Sequence, residues 1–235
     1  MFGSIVSCQD EIKNYPQDVT ASDTNGEPLD SFQFYFPHQI LVDTGEIVGG
    51  LDTFELKWYS TTLFAFDEPI LFNYYQGHEI YRFLYLRSFH TPIVISLHRD
   101  DSEVWIVTKK LDRQPRFIDF YEVDTTSYDQ LDTTQSSIAP LHKLVKADRT
   151  ANISLNEKKV LSESEWTKFD SLLLACQYRT LAPSLNKMAI DGSEWIIEAH
   201  LRSGYYFVKR WSPEDKFADC GKYLIELSGL QEDVY

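Results

Sequence analysis

The segment Asp191-Gly-Ser-Glu-Trp-Ile-Ile-Glu-Ala-His200, followed by Tyr205-Tyr-Phe-Val-Lys-Arg-Trp-Ser-Pro-Glu-Asp215, decides the fold. Its alternation puts Trp195, Ile197 and Ala199 on one side of a strand and Ile196, Glu198 and His200 on the other. Ser203-Gly204 supplies a turn, so residues 194–211 read as an antiparallel hairpin. Ser212 then reads as a helix cap, and Pro213 as the first helical residue, where a missing N–H costs nothing. Glu214 and Asp215 favour the positive helix end. Phe217, Cys220, Leu224 and Leu227 form an apolar stripe and Gly229 closes it, which predicts a helix over 214–228.

Upstream, Ser162-x-x-Glu165 is a capping box. Trp166, Phe169, Leu172, Leu173 and Cys176 follow on one face, which predicts a helix over 163–178. Asp52 with Glu55 opens another, with Leu56, Tyr59, Leu63 and Phe66 on its apolar side, so 53–66 is helical and Pro69 ends it. Glu79–Arg87, Ile93–His98 and Glu103–Lys109 read as strands, with Phe117–Val123 as a fourth. The expected class is α+β: antiparallel hairpins packed by about three helices. Residues 32–235 form one such domain, with 124–150 as either a long loop or a joint between halves.

The chain has 235 residues and a formal charge of −14. Lys and Arg do not cluster, which argues against nucleic acid, whose phosphates need a basic footprint. No apolar run approaches the ~20 residues that span a bilayer. The histidines, at 38, 78, 90, 98, 142 and 200, are not in metal-ligand spacing. Phosphate loops, dinucleotide fingerprints, hydrolase elbows and Cys-x-x-Cys are all missing from the sequence, so neither metal nor cofactor is expected. Cys176 and Cys220 lie on the apolar faces of two predicted helices.

Ile5-Val6-Ser7-Cys8 resembles a bacterial lipobox, in which the cysteine carries lipid. Gln9-Asp10-Glu11 looks like the acidic stretch that follows it in some surface lipoproteins. Only seven residues precede Cys8, so this reading needs a longer signal segment upstream. Residues 1–31 then become a signal remnant and a flexible acidic tether, and the location the cell envelope; the alternative is cytoplasmic.

Arg82 and Arg87 interrupt the apolar run Ile80–Leu86. A buried arginine needs a partner, and Glu68 or Glu198 could serve. Glu198 could sit opposite Lys209 or near Arg210, with Trp195 and Trp211 close by. Together with His90, the set Arg82, Arg87, Trp195, Glu198, Arg210 and Trp211 is either a ligand-binding face, with arginine clamping an anion, or a structural corner.

Asp191-Gly192-x-x-Trp195-x-x-Glu198 with Tyr206-x-Val208-x-Arg210-Trp211-Ser212-Pro213 resembles a signature in a widespread group of uncharacterised bacterial proteins. Trp58-Tyr59-Ser60, Glu68-Pro69, Tyr81-Arg82-Phe83-Leu84 and Arg87-Ser88-Phe89-His90-x-Pro92 fit it too, so the resemblance covers about 50–229. It implies a shared fold and transfers no activity. The functional expectation is a non-enzymatic binding protein for a protein or small-molecule ligand. The alternatives are a hydrolase-type enzyme with a Glu/Arg/His cleft and an immunity-type protein that masks a basic partner.

Overall fold

The computed structural model describes residues 15–31, 33–37, 40–41, 47–48, 50–115, 151–185, 191–232 and 234. The chain runs through β1 (Ile40–Leu41), β2 (Ile47–Val48), α1 (Thr53–Ala65), β3 (Glu79–Arg87), β4 (Ile93–Arg99), β5 (Val104–Leu111), β6 (Ile153–Leu161), α2 (Glu163–Ala175), β7 (Ser193–Leu201), β8 (Gly204–Trp211) and α3 (Lys216–Ser228). β1 and β2 pair with each other. The other six strands form one antiparallel sheet in the order β6-β5-β4-β3-β7-β8. The fold is α+β, as the sequence predicts.

Side-chain alternation gives the sheet two covered faces. On one, Phe83, Ile95, Trp195 and Ile197 share a core with Phe169 of α2 and Phe217 and Leu224 of α3. On the other, Leu84, Val94, Ile196 and Phe207 meet Leu56, Tyr59 and Leu63 of α1. Gly221 lets α3 approach the sheet, because a Cβ there would lie 2.4 Å from the Trp195 ring.

Both predicted capping boxes form. Asp52 Oδ1 accepts from Glu55 N at 2.8 Å, and Glu165 Oε2 accepts from Ser162 N at 2.7 Å. α2 stops at Ala175, short of the predicted 178, since Gln177 takes a left-handed conformation (φ 55°) and one 3-10 turn follows. α3 is capped by Asp215, not Ser212. Ser212 instead closes the hairpin, its N–H donating to Ser193 O and its hydroxyl accepting from Ser193 N. Pro213 therefore precedes the helix rather than opening it.

β6 was not expected from the sequence. Most of its residues are exposed, and Glu157, Lys158 and Lys159 obscure its alternation. The predicted strand at 117–123 and the stretch 124–150 lie outside the described residues, as does Cys8.

Residues 15–31, read as tether, are packed against the domain. Buried Tyr15 donates its hydroxyl to Leu201 O at 2.8 Å, and Ile70 N donates to Gly26 O at 2.8 Å. Fully buried Asn73 binds Asp18 O and Ser22 Oγ, each at 2.8 Å. An acidic, aperiodic segment can be ordered this way when a buried amide and backbone groups supply its partners.

Candidate functional site

The register of β3 sets Arg82 opposite Ser96 on β4 and Glu198 on β7, all on the α1 face. Arg82 binds Glu198 in a fork, with Nε to Oε2 at 2.6 Å and Nη2 to Oε1 at 2.8 Å. Its Nη1 donates to Pro69 O at 2.6 Å and reaches Glu68 Oε2 at 3.5 Å. Tyr205 donates to Glu198 Oε1 at 2.8 Å, and Lys109 reaches Glu68 Oε1 at 2.8 Å. Two cations thus balance two carboxylates. Arg82 and Glu198 are both 0% exposed.

Burial pushes the Glu198 carboxyl above its ordinary range, while the Arg82 guanidinium pulls it down. Burial opposes the charge on Arg82, yet Glu198 outweighs it and holds the guanidinium ionised. The bidentate pair is the strong geometry for such a contact. All three guanidinium nitrogens are engaged and the pair is sealed, so it fastens the sheet to the 66–70 segment. It presents no donor to a ligand.

The other expected site residues do not join it. Arg87 faces the α2/α3 side, where it pairs with Glu232 at 2.8 Å and lies over the Tyr85 ring. Its carboxylate partner is neither Glu68 nor Glu198. Trp195 is core, its Nε1 donating to Ser193 Oγ at 2.7 Å. Arg210 stands opposite Trp195 and donates to Ala182 O at 2.9 Å. Half-buried Trp211 rests on Gly192. His90 is exposed in the β3–β4 turn. Glu198 pairs across β8 with Phe207, not Lys209. Glu198 and Arg210 therefore sit on opposite faces of the sheet, and the Glu/Arg/His cleft is not assembled.

Sequence reasoning missed two groupings. Lys209, on the α1 face, pairs with Glu55 of α1 and lies 3.6 Å from Glu194 Oε1. Burial pushes the Glu194 carboxyl up to about 7 against the pull of Lys209. The Tyr59 hydroxyl is close enough to influence Glu194, yet neither Tyr59 Oη nor Glu194 Oε2 makes a hydrogen bond of normal geometry. Period-2 alternation, read for Ile196, Glu198 and His200, extends to Glu194; the partner Glu55 was read only as half of a capping box.

The second grouping is aromatic. His98 and Trp105 stack at 4.9 Å, His78 stacks on both, and Lys158 lies over the indole at 4.5 Å. His78 Nε2 and His98 Nδ1 are 3.1 Å apart. Burial, with His78 beside it, pushes the His98 imidazole down to about 3, so this ring is neutral near pH 7. Among the described residues, no three His, Cys, Asp or Glu side chains converge as a metal site, and no helix is long and apolar enough to cross a membrane.

No protein-family profile, curated protein or solved structure matches this chain.

Proposed function

We propose that this chain is a non-enzymatic interaction protein whose acidic exterior meets a basic protein partner. The observation that carries the reading is the sorting of charge. Arg82, Arg87, Lys209 and Arg210 are buried among the protein's own carboxylates and carbonyls. Asp23, Glu27, Asp100, Asp101, Glu163, Asp191, Asp219 and Glu226 remain exposed. Arg82, Arg87 and Arg210, three of the chain's nine arginines, are engaged inside in this way. Among the described residues acidic side chains outnumber basic ones at the surface, and such a field steers a cationic partner toward encounter. Lipid attachment at Cys8, and with it an envelope location, is the companion proposal; it is supported by Ile5-Val6-Ser7-Cys8 and the acidic Gln9-Asp10-Glu11 that follows.

The test is capture from cells that carry the gene, with the captured chains identified by mass spectrometry. The reading expects a cationic protein that elutes with salt and is lost on one or more of the reversals Glu27→Lys, Asp101→Lys and Glu226→Lys. Capture of no cationic protein, or equal capture by all three variants, would overturn it.

A further inference from the structure

We propose that Cys176 and Cys220 form a reversible disulfide that ties α2 to α3. Cys176 caps α2 and Cys220 lies within α3, and the two helices pack in one core. The thiols point at each other, with Sγ atoms 3.8 Å apart. Both are free and buried. Each is steered by its own helix: Cys176 Sγ toward Leu173 O at 3.3 Å, Cys220 Sγ toward Lys216 O at 3.9 Å. A disulfide is about 2.05 Å long, so closure needs an approach of roughly 1.8 Å, within reach of small side-chain rotations on two helices already in contact.

The environment decides what kind of pair this is. Cys220 is fully enclosed, whereas Cys176 reaches the surface edge with 9% exposure, beside exposed Gln177. Burial pushes both thiols up, Cys220 the further. Thiolate, the reactive form, is scarce at neutral pH. Such a pair oxidises slowly and then holds, unlike the exposed, acidic thiol of a fast sensor.

The oxidant is a low-molecular-weight disulfide. Cys176 thiolate attacks one of its sulfurs, breaking that S–S bond and releasing one thiolate. Cys220 thiolate then attacks the Cys176 sulfur, the protein S–S bond forms, and the second small thiolate leaves. Two protein thiols lose two electrons in all, one small disulfide gains them, and the two protons pass to the departing thiolates.

The experiment uses the full chain carrying Cys8→Ser, incubated with oxidised glutathione at mildly alkaline pH. The expected product has lost two hydrogen masses, carries no glutathione, shows no titratable thiol after unfolding, and yields a 176–220 linked peptide. Closing a loop of this length, the two positions being 44 apart in sequence, should raise the Tm on the order of 5–15 °C, and a reductant should reverse the rise. In a Cys220→Ser form, glutathione should stay on Cys176. Two free thiols after incubation, a glutathione adduct that Cys220 never displaces, or an intermolecular link would overturn the proposal. Mass and peptide mapping of the Cys8→Ser chain decide it even where Cys220→Ser fails to fold.

Discussion

Replacing Arg82 with Met should cost about 3–5 kcal/mol, because it strands a carboxylate rather than because it deletes contacts. The variant loses the 2.6 and 2.8 Å bonds to Glu198 and the 2.6 Å bond to Pro69 O. Glu198, 0% exposed, keeps only the Tyr205 hydroxyl at 2.8 Å. Glu68 still holds Lys109 at 2.8 Å, so the penalty concentrates on Glu198. Removing both charges should restore much of the loss. Arg82→Met with Glu198→Gln should lie within about 1–2 kcal/mol of the parent, a coupling of at least ~1 kcal/mol.

The pH dependence carries a sign. Glu198 is already raised by burial, and without Arg82 it rises further. A carboxyl raised in the folded state binds protons more readily there than when unfolded. The Arg82→Met deficit should therefore shrink as pH falls toward the ordinary carboxylate range. Urea titration followed by tryptophan fluorescence suits the assay, since Trp166 and Trp195 are both buried. A single-variant loss below about 1 kcal/mol, or a double variant as unstable as the two single losses summed, would refute the reasoning.

Phe169, 0% exposed in the α2/α3 core, should cost about 3–5 kcal/mol when changed to Ala; a loss under ~1 kcal/mol in the same titration would remove it from the core. Glu194 has a folded-state value near 7 against an ordinary 4.5, so its contribution is present in acid and lost as pH rises through that window. Glu194→Gln should flatten a fall of about 2–3 kcal/mol between pH 4.5 and 7, and an unchanged stability profile would rule this out. His200 Nδ1 donates to Leu71 O at 2.7 Å and its Nε2 accepts from Gln76 N at 3.0 Å, so the ring is held neutral, with burial pushing it down to about 4. Stability from this group is present above the ordinary histidine range and is lost as pH falls toward 4. His200→Gln should weaken acid unfolding there, and an unaltered acid transition would refute the assignment.

What was legible in the sequence was local. Capping boxes and apolar stripes specify helix starts and faces within a few residues of chain, and alternation correctly sorted Trp195 from Glu198. Register was not legible, for a definite reason. A loop at Ser203-Gly204 would put Glu198 opposite Lys209. The loop lies one residue earlier, with Leu201 paired to Gly204, and this shifts the partner by two, to Phe207. The face survives such an error and the neighbour does not. Glu232 as the partner of Arg87, and Asn73 as the anchor of residues 18–22, come from tertiary contacts that no periodicity records. β6 was hidden because an edge strand protected by charge has little alternation to show.

The tie at Tyr15 also limits how far the domain could stand from a membrane. Tyr15 is seven residue steps from Cys8, and an extended chain of seven steps spans at most about 23–25 Å. A lipid on Cys8 would hold the β7–β8 turn close to the headgroups. The orientation would be biased, with Leu201 toward the bilayer. A partner would then have to dock from the side or from the aqueous pole.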